Sequence, residues 1–319
     1  MRGGVAGYVA GRLLRAVPAL FLVSVAVFML MRLLPGDPAA VMAGPDATPQ
    51  QIEALRARFG LDRPLPLQYV TWLGRVFQGD LGTAYRTGQP VLSLVAERAP
   101  ATLFLALGAM AVIAVVGGFV GIFSAIRPRH PLSRAFAVLN AAGLSIPTFW
   151  LGILLILLFA VYLRWLPPSG YANPAERPLD FVRFLLMPAV TLGAVSAAVV
   201  ARFLTSSIHE VQSADFVRTA HAKGMRERLV VGRHVLKNAL PPVITVMAIQ
   251  FGHLLGGAVI TEAIFAWPGL GRLMLEAIGT RDYQTLQATI LLTVVTFTLV
   301  NLAADIVTGL LDPRVRYSG

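Results

Sequence analysis

The chain has 319 residues, of which 56% are hydrophobic and 13% charged, and its mean hydropathy is +0.70. A soluble domain carries roughly 25% charged residues, so a soluble globular protein is excluded, and the high apolar content excludes a disordered one. The composition points to an all-α polytopic membrane protein. The formal net charge is nevertheless +11, and 25 of the 27 basic residues are arginine. The absence of cysteine removes disulfides, thiol nucleophiles and thiolate metal sites.

A spanning helix needs about 20 apolar residues. Leu13–Leu34 is the first predicted span: its uncharged stretch Ala16–Met31 is short, but Arg15 and Arg32 can snorkel at its ends. Arg2, Arg12 and Arg15 before it and the small residues Ala39–Ala43 after it also resemble a signal peptide. The length of the apolar stretch and the sequence Pro35-Gly36-Asp37-Pro38 favour an uncleaved anchor. Residues 35–100 form the one sizeable region outside the spans, read as short helices and turns. Thr48–Phe59 is a predicted helix with Thr48 as cap, Pro49 at its first position and Gly60 after its end. Tyr69–Phe77 is a predicted amphipathic helix.

Ala101–Ile126 is the second predicted span, and its Gly117-x-x-x-Gly121 suits close helix packing. Ala135–Leu163 is the third, broken at Pro147 beside Phe149 and Trp150. Two readings of Pro147 stay open: an unwound turn facing a transport path, or an ordinary proline kink. Phe184–Ala201 is the fourth, with Pro188 near its start. Ala239–Thr261 is the fifth, opening on Pro241 and Pro242 and carrying Gly252-x-x-x-Gly256. Gln250 and His253 share one face of it, as path-lining groups or as partners in an interhelical hydrogen bond. Trp267-Pro268-Gly269-Leu270-Gly271-Arg272 then reads as a re-entrant turn anchored at the interface by Trp267, followed by a short helix, Leu273–Ile278. Tyr283–Ala304 is the sixth span. Asn301 and Asp305 share a face of its end, with a structural partner such as an arginine expected for Asp305.

Six spans place both termini on one side, and the positive-inside rule selects that side. Residues 1–15, 127–134, 202–238 and 312–319 carry 15 basic residues against four acids. Residues 32–100, 164–183 and 262–282 carry 12 against eleven. The charge excess therefore belongs to one membrane face, which is expected to be cytoplasmic and to include both termini. That distribution removes the nucleic-acid reading a basic protein otherwise invites.

No G-x-x-x-x-G-K-[ST] occurs, so the chain holds no P-loop of its own. His209-Glu210 begins like a zincin motif, but Ser213 stands where the second ligand would be, and the other histidines lack ligand spacing. The polar residues inside the spans form no catalytic set. The sequence thus predicts no enzyme and no metal or cofactor bound by this chain.

The 202–238 loop is the most informative. Ala214–Lys223 reads as a short helix capped by Ser213, with Asp215 at its positive end and Gly224 as a left-handed terminator. A second helix is expected from Met225 to Asn238. Phe216, Ala220 and Lys223 fall on one face of the first helix, as a surface docking into another protein's groove would. The alternative is a basic juxtamembrane loop lying on anionic lipid.

Thr219-Ala220-His221-Ala222-Lys223-Gly224, followed at a distance by Leu240-Pro241, resembles the EAA loop of type I ABC importer permeases, with Arg218 or Thr219 in the place of the usual glutamate. Gln250–Arg272, Leu34–Pro38, Gly79–Gly82, Arg98–Leu103, Ser145–Trp150 and Leu311–Arg314 are similar to the first permease of dipeptide, oligopeptide, nickel and glutathione importers. The resemblance implies a six-helix type I fold in the cytoplasmic membrane. It divides the chain into an N-terminal region 1–98, a permease domain 99–312 containing a coupling loop 205–238, and a cytoplasmic tail 313–319. It implies a homologous second permease, one or two cytoplasmic ATPases that use Mg-ATP, and an extracytoplasmic binding protein as partners. Asp215, Thr219, Ala220, Lys223, Gly224, Leu240 and Pro241 are the candidate coupling residues. Pro147, Phe149, Trp150, Gln250 and His253 are the candidate path residues. A stand-alone secondary transporter, the alternative, would need inverted repeats and midplane ion sites, and neither is visible.

Overall fold

A computed structural model describes residues 5–33, 37–44, 46–58, 60–85 and 87–311. The tail 313–319, most of Leu311–Arg314, residues 34–36 and the side chain of Asp305 lie outside this description. The described residues are helical, apart from turns and one isolated bridge between Thr83 and Pro90. In chain order the helices are α1 (Val5–Leu33), α2 (Pro38–Ala43), α3 (Pro49–Arg58), α4 (Leu65–Phe77), α5 (Val91–Ile126), α6 (Pro131–Ser145) and α7 (Thr148–Tyr162). They continue with α8 (Pro178–Gln212), α9 (Asp215–Ala222), α10 (Glu227–Ile264), α11 (Leu270–Gly279) and α12 (Tyr283–Leu311).

Among the described residues four helices, α5, α8, α10 and α12, are long and apolar enough to cross a membrane. The pair α6 and α7 adds a fifth span if it counts as one. The apolar part of α1 is the shorter Leu14–Leu30.

α8 is the centre of the bundle, packed on both α5 and α10. Of its most apolar window 56% is buried, against 22–33% for the other three. Small residues let α5 and α8 approach closely. A Cβ added at Gly117 would lie 2.8 Å from the Ala197 carbonyl oxygen, and one at Gly121 2.9 Å from that of Ala201. The Thr205 hydroxyl donates across the same seam to the Gly121 carbonyl at 3.1 Å. A π-bulge at Ile113–Gly117 interrupts α5 where it meets α8. The first small-residue pair therefore packs as the sequence predicts. In the second pair only Gly252 does, with a Cβ there 2.5 Å from Asn301 Oδ1, while Gly256 faces open space.

The spans differ from the sequence reading in extent. α8 begins ten residues before Pro188, and the helix runs through that proline. α10 absorbs both the helix expected at Met225–Asn238 and the fifth span, carrying Pro241 and Pro242 in its interior. A membrane helix tolerates such prolines; just before them Ser207 Oγ donates to the Ala239 carbonyl at 2.9 Å and ties α8 to α10.

The 37–90 region follows its local signals. Thr48 and Gln51 form a reciprocal capping box at the start of α3: the Thr48 N–H donates to Gln51 Oε1 at 2.8 Å, and the Gln51 N–H donates to Thr48 Oγ1 at 3.4 Å. Gly60, with φ +65°, lies in the turn after α3. Buried Asp282 ties the region to α12, accepting from the Tyr85 N–H at 3.0 Å while its carboxylate also caps Thr285.

Candidate functional site

Two opposite ends of the bundle carry chemistry. At one end α9 connects α8 to α10. It starts at Asp215 with Ala214 as N-cap and no side-chain cap. Ser213, the predicted cap, instead donates back to the Glu210 carbonyl at 2.7 Å and closes α8. The other terminus matches expectation. Gly224 has φ +75°, its N–H donates to the His221 carbonyl at 2.9 Å, and the Met225 N–H reaches the Ala220 carbonyl at 3.3 Å. These paired bonds are a Schellman closure, which only a left-handed residue at Gly224 permits without strain. A Cβ at Gly224 would meet nothing within 4 Å, so the constraint is backbone geometry, not space.

The face assignment on α9 needs correction. Val217 is 2% exposed and Ala220 5%, both built into the main core with Ile208, Val230 and Val235. Ala220 therefore keeps α9 against its own chain and is not presented to a partner. Asp215, Phe216, Thr219 and Lys223 form the exposed face. Arg218 pairs loosely with Asp215 at 3.4 Å, and His221 bonds Glu227 at 2.8 Å across the turn. Leu240 and Pro241 do not join this cluster. They lie 13 or more residues into α10, roughly 20 Å along the helix at about 1.5 Å per residue.

Within the bundle, α6 and α7 meet at an angle of 113° across Ile146 and Pro147. Pro147 is thus a full break, much more than a proline kink. Phe149 and Trp150 are half-exposed at the start of α7. His253 is exposed and Gln250 half-buried on α10. Neither makes a hydrogen bond to another described residue, so the expected interhelical bond is not seen among the described residues.

At the other end Trp267 is fully buried, correcting its expected place at the interface. Its indole N–H donates to the Ala101 carbonyl at 2.8 Å, and its ring meets Tyr171 edge-on at 4.9 Å. Beside it lies a residue to which sequence reasoning gave no role. Glu262, at the end of α10, is completely buried. Its Oε1 accepts from the Thr102 hydroxyl at 2.6 Å, and its Oε2 from the Arg272 N–H at 3.0 Å. Thr102 Oγ1 accepts in turn from the Leu270 N–H at 2.8 Å. One carboxyl group thus joins α5, the end of α10 and the first turn of α11, which begins at Leu270 rather than Leu273. A Cβ at Gly269 would overlap that carboxyl, and one at Gly271 would lie 2.5 Å from Val259 Cα. The glycines of the Trp-Pro-Gly-Leu-Gly run are there for this approach. An acid followed by glycines seven and nine residues later was the available signal.

Two family profiles match the chain. Residues 117–317 match "Binding-protein-dependent transport system inner membrane component". Residues 6–106 match the N-terminal region of the same class of membrane component. The chain is 43% identical over 311 residues to the glutathione transport system permease protein GsiC of Escherichia coli strain K12, covering 97% of this chain and 99% of that one. The same protein of Salmonella choleraesuis strain SC-B67 matches with equal identity and coverage. Among solved structures, an amino acid ABC transporter crystallised with histidines matches at TM-score 0.50 and 15% identity, over 70% of this chain and 94% of that one; it shows the fold alone. The family is one of transport, not of enzymes, and it does not favour a stand-alone secondary transporter. The chain belongs to the binding-protein-dependent transport system inner membrane components, the multi-pass permease subunits of ABC importers, which work with an ATPase and a binding protein.

Proposed function

We propose that this permease forms the membrane path of an importer for peptides or peptide-like solutes such as glutathione, together with a homologous second permease. The substrate class rests on 43% identity to glutathione permeases along nearly the whole chain. α1, the bent pair α6–α7, and α5, α8, α10 and α12 supply six spans, with both termini and α9 in the cytoplasm, as the charge distribution favours. The chain keeps the division into regions 1–98 and 99–312 and binds no cofactor itself; Mg-ATP is used by one or two partner ATPases.

The observation that carries the mechanism is the build of α9. It is a short unit closed by Gly224, seated on the core through Val217 and Ala220, and joined by tight turns to two long helices. An ATPase that grips Asp215, Phe216, Thr219 and Lys223 and moves as its ATP sites close transmits that motion to α8 and α10 as levers. Leu240 and Pro241 act further along α10, as part of the lever. The break at Pro147, with Phe149 and Trp150, and Gln250 and His253, which have no hydrogen-bond partner among the described residues, are the path-lining candidates.

Reconstitution in proteoliposomes tests this reading. Uptake of a labelled peptide or of glutathione is expected only with the second permease, the ATPase, the binding protein and ATP together. Uptake by this chain alone, driven by an ion gradient, would overturn it.

A further inference from the structure

A cavity of about 160 Å³ lies between α1, α4, the 80–85 turn and the start of α12. Arg32 of α1, Arg63 before α4 and Arg75 of α4 line it, against the single carboxylate of Asp80. Asp80 is already engaged, accepting from the Gly82 N–H at 2.9 Å. None of these arginines forms an ion pair among the described residues. The cavity therefore holds an uncompensated positive charge.

Arg32 is held in place but has one buried donor unmet. Its guanidinium lies 5.0 Å from the centre of the Phe28 ring, and its Nη2 donates to Gln68 Oε1. Gln68 is itself fixed, its amide donating to the carbonyls of Arg63 at 2.7 Å and Leu61 at 3.1 Å. Arg32 Nε is buried with no hydrogen-bond partner. A buried donor left unmet costs free energy that an anion in the cavity would recover. Burial, with nearby Asp282 adding to it, pushes the Tyr85 hydroxyl above its ordinary value, so it remains a donor on the cavity wall.

Depth selects the kind of anion. Arg15 and Arg32 are 17 residues apart on one helix, which is about 26 Å of rise, close to the ~30 Å hydrocarbon thickness. Arg32 thus stands at headgroup level on the far side from Arg15. Phe28, Tyr69 and Trp72 cluster beside it with ring centres 5.4–6.0 Å apart, as aromatic residues do at a membrane interface. That depth and that aromatic cluster suit a lipid headgroup, whereas a freely soluble anion would need neither.

We propose that this cavity binds the phosphate headgroup of an anionic phospholipid in the outer leaflet, with Arg32 as its fixed fork and Arg75 and Arg63 as further charges. The leaflet follows from the orientation proposed above; the site's chemistry does not depend on it. Bound lipid would brace α1 and α4 against α12.

The test is native mass spectrometry of the detergent-purified, delipidated transporter after adding back phosphatidylglycerol, phosphatidylcholine or inorganic phosphate. Phosphatidylglycerol is expected to be retained, and Arg32→Gln to lower retention by about tenfold or more, the worth of a lost charge-assisted bond. Arg75→Gln, at an exposed position that the fold does not need, is expected to weaken retention on its own. Phosphatidylcholine should be retained less, and millimolar phosphate should not displace the lipid. Equal retention in both variants, equal retention of phosphatidylcholine, or occupancy by free phosphate in place of lipid would overturn the proposal. ATP hydrolysis stimulated by the binding protein, measured on the same samples, reports separately on the transporter reading.

Discussion

Removing the Glu262 carboxyl isolates what holds the α10–α11 turn to α5. Glu262→Ala strands the Thr102 hydroxyl and the Arg272 N–H, which donate to it at 2.6 and 3.0 Å in a fully buried site. Each unmet buried donor costs about 1–3 kcal/mol, so the substitution should destabilise the fold by about 4 kcal/mol. Glu262→Gln keeps the shape and one acceptor oxygen, but its amide N–H₂ only donates and so faces one of the two donors; about 1–3 kcal/mol is expected. Thr102→Val removes one of the same bonds and strands the Leu270 N–H. The two sites share a bond, so their costs should not add, with an interaction energy of about 0.5–3 kcal/mol. SDS titration of the purified protein, followed by tryptophan fluorescence, measures all four corners of the cycle, with buried Trp267 beside the site as a local reporter. A Glu262→Ala protein within about 0.5 kcal/mol of the parent, or strict additivity with Thr102→Val, would refute the hub.

The other predictions concern packing and coupling. Gly117→Ala should cost about 1–3 kcal/mol by forcing α5 off the Ala197 carbonyl, whereas Gly256→Ala, with nothing near it, should be neutral or slightly stabilising in the same titration. Gly224→Ala must place a side chain at φ +75°, costing about 1–2 kcal/mol, and binding-protein-stimulated ATP hydrolysis should fall because the lever's end is loosened. Ala220→Arg should lower stability as well as coupling, since Ala220 is buried. Lys223→Glu, fully on the surface, should lower coupling at unchanged stability.

Local chemistry was legible in the sequence where a few neighbouring residues decide it. Gly224 ended α9 because a left-handed position there admits glycine best, and Thr48 and Gln51 capped α3 through contacts three residues apart. Tertiary context decided the rest. Whether Ala220 looked outward or inward depended on how α9 docks onto Ile208 and Val235, which no periodicity over eight residues reveals. Pro241 and Pro242 read as a boundary by soluble rules, yet α10 passes through them. Trp267 read as an interface anchor because aromatic residues favour that depth, but the turn folds it under Tyr171 and against Ala101. The break at Pro147 was visible, while its 113° angle was not, since a proline frees the backbone without directing it.

The claim that α9 is the grip for the ATPase meets its most direct test in cross-linking. The chain has no native cysteine, so single cysteines report without background. In the assembled transporter Phe216→Cys, on the exposed face, should cross-link to a cysteine placed in the ATPase groove, with a yield that changes when ATP is added. Val217→Cys, one residue on and buried, should not. Efficient cross-linking at 217 with none at 216, or none at any exposed α9 position in an assembly that still transports, would contradict the account.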